Sequence, residues 1–461
     1  MKSAVASSKI ERRKQGKALR EKFPRTLQAA WKPRSKSQDI VKLLEESDAD
    51  RIRGLLPVKY QRMAVSPFTF FRGAAIIQAR DLANAPVSGI TVQACGDCHL
   101  ANFGGFASPE RVLVFDINDF DETFPGPWEW DIKRLGASLV LAARDRSFSK
   151  TVANQAAQAA AASYRERMSE FAEMKVLDAW YANVTGEALK EYFRGNKDLS
   201  ARLSKKQKQS RSQNSEAVIP KLTEVVNGRL RFKDSPPVIY HFEEYAKNLE
   251  KGHMKFIEDY MKSMQHDRRQ LFRRYRLQDS AMKVVGVGSV GTRCYLALLL
   301  ADEADPLFLQ VKEARRSVLE SPRGKSRYVH QGLRVVEGQR LMQGASDIFL
   351  GWARTQHHDY YLRQFRDMKV SAEIETFRPA TLVAYATICG WALARAHAKA
   401  GDAAMIAGYL GSTDQFDNSL AQYAGAYADQ AERDFQTFQV AVRSGRLSTE
   451  VEKGAGLEFL L

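Results

Sequence analysis

Between residues 92 and 131 the sequence VQACGDCHLANFGGFASPERVLVFDINDFDETFPGPWEWD sets Asp97, His99, Asn102, Asp116, Asp119, Asp121 and Glu122 among short apolar runs. Two of those runs, 92–94 and 112–115, read as strands, so the acids fall at strand ends and in the loops that follow. A solvated acidic loop would need no compensation. Here, however, Asp116 follows directly on Val112, Leu113, Val114 and Phe115, and Phe120 interrupts the acids beyond it. Carboxylates held at the end of a buried strand repel one another unless a cation or a hydrogen-bond donor offsets them. Several such oxygens together with an asparagine amide suit a hard cation, most naturally magnesium arriving on phosphates.

The stretches around this segment set its context. The first sixty residues read as a basic arm leading into short helices, among them an amphipathic one over 39–46, with Trp31 docking the arm. Ser66 and Pro67 form a helix cap and first helical position ahead of Phe68, Phe70 and Phe71. Arg72, inside that apolar run, needs a partner that the acids downstream could supply. After the acidic segment, Asp131 opens a helix with Ile132, Leu135, Leu139 and Ala142 at helical spacing, and helices are expected through 152–175 to Arg194. Residues 196–216 read as a mobile charged linker, and 240–278 as charged helix.

The character changes at Ala281. Residues 281–314 are β-branched and apolar with a polar turn at 302–306, which predicts two strands. Helix is expected over 335–343, strand over 360–368, and a long helix over 379–400 with Pro379 near its start and Gly401 past its end. Gly286, Gly288 and Gly291 match G-x-G-x-x-G. A dinucleotide fold requires a helix after that motif; strand patterning follows instead, ending in a strand that carries Lys312. Glycine loop, hairpin and strand lysine are the parts with which protein kinases cover and orient nucleotide phosphates. A kinase also pairs that lysine with a helix glutamate, and Glu337 stands in the expected place, an exposed amphipathic position being the bland alternative.

With these pieces in view, Gly96-Asp97-Cys98-His99-Leu100-Ala101-Asn102 resembles the catalytic loop of the aminoglycoside phosphotransferase and choline kinase branch of the protein-kinase-like superfamily. Val114-Phe115-Asp116 resembles that branch's strand ending in a metal-binding aspartate, and Trp130-Asp131-Ile132 its later helix-opening aspartate. The resemblance implies Asp97 as catalytic base, Asn102 and Asp116 as metal ligands, and Asp131 as a brace for the loop; Asp119, from the acidic cluster itself, is counted as a further candidate metal ligand. His99 is grouped with the catalytic residues as a hydrogen-bond partner within the loop, against a purely structural role. Cys95 stands where the branch usually has histidine. The phosphate-binding set is Gly286, Gly288, Gly291, Lys312 and Glu337.

The order is inverted relative to an ordinary kinase, since the glycine loop and lysine follow the catalytic loop. A circular permutation restores sense, and permutation is tolerated where new termini lie at the surface. The expected fold is therefore α+β, a protein-kinase-like bilobal fold of circularly permuted order with a helix-rich larger lobe. Its expected parts are the arm and short helices over 1–60, the catalytic-loop part of the helical lobe over 61–195, and a charged linker with helices over 196–280. A β-rich nucleotide-binding lobe over 281–375 and closing helices over 376–461 complete it. The chain, from SPFTFFRGAA through GDCHLANFG, FDINDFDET and YYLRQFRDMK to ALARAHAKAGD, also resembles a bacterial family known only as domain of unknown function 2252. That resemblance implies homology and no activity.

The expected activity is ATP- and magnesium-dependent phosphoryl transfer to a hydroxyl of unidentified small-molecule or protein origin, with another nucleotide, or nucleotidyl transfer, as sub-variants. The alternatives are a metal-dependent phosphohydrolase and a non-catalytic nucleotide-binding module. The former needs several histidine ligands, and His241, His253, His266, His330, His357, His358 and His397 follow no ligand pattern. The net charge of +16 invites nucleic acid, but much of it lies in the arm (Lys9, Arg12, Arg13, Arg20, Arg25, Arg34), and neither zinc-finger spacing nor an RNP-type motif accompanies it. Cys95 and Cys98 form a lone C-x-x-C, better read as small buried thiols than as half a zinc site. No apolar run is long enough to span a membrane and the basic start lacks an apolar h-region, so the expectation is a cytoplasmic protein.

Overall fold

The computed structural model describes residues 7–34, 39–211, 215–241, 254–302, 305–365 and 368–450. It is a mixed α+β structure in which a helical body carries a six-stranded antiparallel sheet. The strands are β1 Thr91–Ala94, β2 Phe103–Ala107, β3 Leu113–Ile117, β4 Phe124–Pro127, β5 Thr223–Val226, β6 Arg229–Phe232 and β7 Ile239–Tyr240. They continue with β8 Arg276–Lys283, β9 Cys294–Leu300, β10 Pro306–Glu313, β11 Gly351–Arg354, β12 Asp359–Gln364 and β13 Val370–Ser371. The large sheet runs β11-β12-β10-β9-β8-β7; β13-β2-β3, β1-β4 and β5-β6 form smaller ones.

The helical body is built around Trp128–Asp145, of which all but the last two residues are buried. Helices Lys150–Glu173, Pro379–Ala400 and Gln415–Arg443 close over it. Small residues let these helices approach: a side chain on Gly390 would collide with the Ala160 carbonyl. Trp128 stacks on Tyr164 with ring centroids 5.5 Å apart and is fully buried, a contact whose apolar burial contributes about 2–3 kcal/mol. Pro379 opens its helix and Gly401 follows its end, as the sequence pattern predicts. Ser66 caps Pro67–Gly73 through a capping box with Thr69.

The basic arm is docked by more than Trp31, which packs edge-on against Tyr427: its helix Lys9–Lys22, capped by Ser8, lies on Ala403–Leu410, while two other expectations are corrected. Arg20 donates to the carbonyls of Tyr409 and Gly408, and Arg25 to that of Leu410, so the arm's charges neutralise the carbonyl end of that helix. Residues Lys197–Arg211 of the expected linker are helical, because Leu199 and Leu203, one turn apart, supply a narrow apolar stripe that composition alone hides. Within 240–278, residues 242–253 lie outside the described residues, and β8 begins at Arg276, earlier than the change of composition at Ala281. The β5–β6 hairpin was not foreseen.

Arg34 fixes the end of the arm, with Nε 2.6 Å from Asp81 Oδ1 and Nη2 2.6 Å from Asp434 Oδ2, all three side chains being buried. Tyr427 donates a further bond to Asp81. Removing one member of such a cluster leaves buried charge uncompensated. Arg34→Ala should lower the free energy of unfolding by about 3–5 kcal/mol in urea titrations; a loss below about 1 kcal/mol, the range of an exposed pair, would mean that the arm is only loosely seated.

Candidate functional site

The acidic segment folds into two loops at one end of the paired strands. The first, 95–102, links β1 to β2; the second, 118–123, links β3 to β4, and the two are joined by Asn118 N–H donating to the Asn102 carbonyl at 2.8 Å. Gly96 occupies the left-handed region at φ +87, where a side chain would also strike the Glu122 carbonyl, so this turn requires glycine. Asp131, in the first turn of Trp128–Asp145, accepts from the backbone N–H of Cys95 at 2.6 Å and of Gly96 at 2.9 Å. His397 Nε2 lies 3.1 Å from the same carboxylate, and Tyr164 O–H 2.8 Å from His397 Nδ1. The loop is thus held from the helical body by a fully buried Tyr164–His397–Asp131 relay.

Asp97, at the apex, lines a cavity with Asn102 and Asp119. Arg134 Nε donates to Asp97 Oδ1 at 2.8 Å, and Asn102 Nδ2 to the Asp97 carbonyl at 2.7 Å. His99 Nε2 is 3.8 Å from Asp97 Oδ2; burial pushes the His99 pKa down to about 4, which leaves the ring neutral at pH 7, and its Nδ1 has no hydrogen-bond partner among the described residues. Burial pushes the Cys98 thiol up, and all four cysteines are buried and free.

The glycine loop and the lysine meet these acids. The loop between β8 and β9 places Gly286, Gly288 and Ser289 in the cavity with Asp97, Asn102 and Asp119. Lys312, on β10 and only 2% exposed, has Nζ 3.3 Å from Asp119 Oδ2 and in contact with Asp121 Oδ2. Burial acts to lower the lysine pKa; Asp119 and Asp121 outweigh it and hold the ammonium well above its ordinary value. For Asp119, burial opposes the charge while Lys312 and Arg363 hold the carboxylate well below the usual range. Asp121 moves up, through burial and then the charge of Asp119, and accepts from Tyr361 O–H at 2.6 Å.

Two site residues are misplaced by the sequence reading. Asp116 does not share the cleft: its carboxylate accepts from Arg395 Nη2 at 2.8 Å and from Gly344 N–H at 2.9 Å inside the helical body. Strand periodicity carries the reason, since Asp116 shares the core-facing side of β3 with Val114. Glu337 is 41% exposed and pairs with Arg340 at 3.3 Å, not with Lys312. From the same helix, Gln331–Met342, it is Arg334 that reaches the acidic loop, donating to the carbonyls of Thr123 and Asp121 at 2.6 and 2.8 Å. Arg134, Arg334, Arg395 and His397 were missed, although Arg395 and His397 interrupt an Ala-rich apolar helix, where a charged or polar side chain must find a partner.

The sequence profile described as "Uncharacterized protein conserved in bacteria (DUF2252)" matches residues 51–441, which include both acidic loops, the glycine loop and Lys312. The chain belongs to the DUF2252 family. No curated protein and no solved structure matches it. Among the described residues of this DUF2252 chain no group of three or more His, Cys, Asp or Glu is arranged to hold a metal, and no helix is long and apolar enough to cross a membrane. His253 lies outside the described residues. His241 bonds Asp234 and Asp279, and His358 lies 3.4 Å from Glu313, so the histidines do not converge on one site.

Folded His99 has a pKa near 4 against about 6.5 unfolded, so between those values the unfolded chain binds more protons and stability rises with pH. The contribution is complete above about pH 6.5 and is lost as pH falls toward 4, amounting to about 3 kcal/mol. The wild type should therefore lose about that much more stability than His99→Gln between pH 7 and pH 4. Parallel stability profiles for the two proteins would refute a buried neutral His99.

Proposed function

We propose that this chain is an ATP-dependent phosphotransferase with a permuted kinase-like arrangement, acting on a hydroxyl acceptor. The observation that carries the reading is the meeting, in one cleft, of a glycine loop, a buried strand lysine and two loops of acids, although Lys312 and Asp119 stand 193 residues apart in the chain. The lysine lies on the third of three successive antiparallel strands, β8, β9 and β10, with the glycine loop between the first two. Beside it a cavity of about 490 Å³, lined by Gly286, Gln310, Lys312, Phe349, Arg363 and Phe365, has the size and mixed lining of a nucleotide site.

In this reading Asp97 accepts the acceptor hydroxyl's proton as its oxygen bonds the terminal phosphorus and the bond to the departing ADP oxygen breaks. Arg134, on Asp97 Oδ1, positions the carboxylate. Lys312 and the glycine-loop amides orient the phosphates. Magnesium binds through one or two protein oxygens plus phosphates, and the Asn102 amide and the Asp119 carboxylate, which line one cavity, offer such oxygens. Asn102 and Asp119 would hold it, and it would neutralise phosphate charge; Asp116 is not part of that set. Burial opposes both charges, and the mutual attraction of Lys312 with Asp119 and Asp121 outweighs it, so that Asp119 and Lys312 stay ionised and pre-aligned, the form of preorganisation that electrostatic catalysis needs.

Thermal shift with ATP and magnesium tests the binding half. At a hundredfold excess over Kd the wild type should gain about 2.7 kcal/mol. Asp119→Ala should lose the magnesium-dependent part of that gain, whereas Asp116→Ala should be less stable, because Arg395 is stranded, yet keep it. A magnesium response that survives Asp119→Ala and vanishes in folded Asp116→Ala would return the metal role to Asp116. For turnover, Asp97→Asn should bind ATP as the wild type does and lose about 10²–10⁴ in rate; undiminished activity would remove Asp97 as the base.

A further inference from the structure

Across the glycine loop from the 490 Å³ cavity lies a smaller chamber of about 120 Å³, and the two share Gly286, Ser289 and Asp119. Its far wall comes from the N-terminal helices and includes Arg51 and Arg72; Arg315 lies near the strand end, and Asp97 and Asn102 form the floor. Two of these arginines are engaged with protein. Arg51 Nη1 donates to the Val290 carbonyl at 2.6 Å and its Nε lies 2.8 Å from Asp48, while Arg315 Nη2 donates to the Ser47 carbonyl at 2.8 Å.

Arg72 differs. Among the described residues it makes no hydrogen bond and no ion pair, and its Nε is buried without a partner. Its contact is with the Phe68 ring, 5.6 Å from the guanidinium carbon, which satisfies no N–H. Asp97 and Glu375 act on Arg72 only through charge at longer range; Asp97 Oδ1 receives Arg134, which also donates to Gln78 and the Phe71 carbonyl and stacks 3.9 Å over Phe71, and no hydrogen bond or ion pair joins either acid to Arg72 among the described residues. A half-buried guanidinium whose Nε is shut off from solvent without a partner, and whose other donors meet no protein acceptor among the described residues, is poised to receive an anion. The chamber is too small for a nucleoside and large enough for a single phosphate or carboxylate, the groups that a planar guanidinium fork binds best.

We propose that Arg72 is an anion-binding residue of this chamber, receiving a phosphate or carboxylate oxygen next to Asp97. Resting on the phosphotransferase reading, the anion is either the terminal phosphate of the nucleotide or an acidic group of the acceptor. One chemistry covers both, and they separate by titration.

The test is calorimetry on the full chain with magnesium and three probes: ADP, a non-hydrolysable ATP analogue, and inorganic phosphate added to the ADP-saturated protein and to the free protein. Wild type, Arg72→Gln and Arg72→Lys are compared, with circular dichroism as the check of folding. If the anion is the terminal phosphate, Arg72→Gln weakens the analogue about tenfold or more and leaves ADP unchanged, with Arg72→Lys intermediate. If it is an acceptor group, both nucleotides are unchanged and phosphate binding falls by a similar factor. A wild type that binds phosphate but no nucleotide, with phosphate lost in Arg72→Gln, keeps the anion site and removes the nucleotide reading. Should Arg72→Gln fail to fold, Arg72→Lys is read alone, and a drop of threefold or more for the analogue or for phosphate is required. Affinities for all probes within twofold of wild type in the folded variant, or a wild type that binds none of them, overturn the assignment.

Discussion

The contact of Lys312 with Asp119 and Asp121 joins the two halves of this molecule. An ammonium 2% exposed is stable only where carboxylates are brought to it, and these carboxylates come from a loop on the other side of the cleft. The pairing is mutual: two acids so close could not both stay charged without the lysine, and Asp121 is still pushed up, by burial first and then by the charge of Asp119. Around it, other cations hold the loop by its backbone. Arg334 takes the carbonyls of Asp121 and Thr123, and Arg363 that of Asn118. The sheet, through Lys312 and Arg363, and the helix Gln331–Met342, through Arg334, therefore grip the acidic loop, while the helical body grips the neighbouring loop through Asp131 and His397. Connectivity hardly matters to such a site, which is why segments distant in sequence can compose it.

What was legible in the sequence follows from periodicity and punctuation. The strand–turn–strand after the glycines, the capped helix at Ser66 and the helix between Pro379 and Gly401 rest on local rules that tertiary contacts reinforce. Choosing among neighbouring acids was harder. Asp116, Asp119 and Asp121 are chemically alike in a linear string, and the choice of which faces the cleft is made by the two-residue alternation of β3 and by Arg395, 279 residues away. The helix Gln331–Met342 poses the same problem. Gly338 packs against Thr123, so the side bearing Arg334, four residues earlier, faces the loop, and Glu337 is turned toward solvent.

Composition misled most where charge serves burial. The arm's arginines look like a phosphate-seeking tail, yet Arg20 and Arg25 cap a helix end and Arg34 neutralises two buried aspartates. Net charge says nothing about such internal use, because an arginine that satisfies carbonyls counts the same as one that meets water. Arg72 stands apart by its place in an apolar run: among the described residues it makes no hydrogen bond or ion pair and has only the Phe68 ring beside its guanidinium.

The glycine loop carries a structural duty that limits what its motif can prove. Its carbonyls are bound from the N-terminal helices: Ile52 N–H donates to Gly291 at 2.8 Å, Arg51 to Val290, and Arg62 to Gly286 at 2.6 Å. Gly291 sits at φ +87 with the Arg51 side chain 3.1 Å from where its own would begin, so a larger residue there would be strained without any nucleotide. A G-x-G-x-x-G string is thus accounted for in part by packing alone. Lys312 is not: nothing in the packing of β10 calls for an ammonium there, since an apolar side chain opposite uncharged residues would fill the same space without desolvating three ions. The buried charge cluster, more than the glycine pattern, is therefore the feature on which the proposed phosphate chemistry rests.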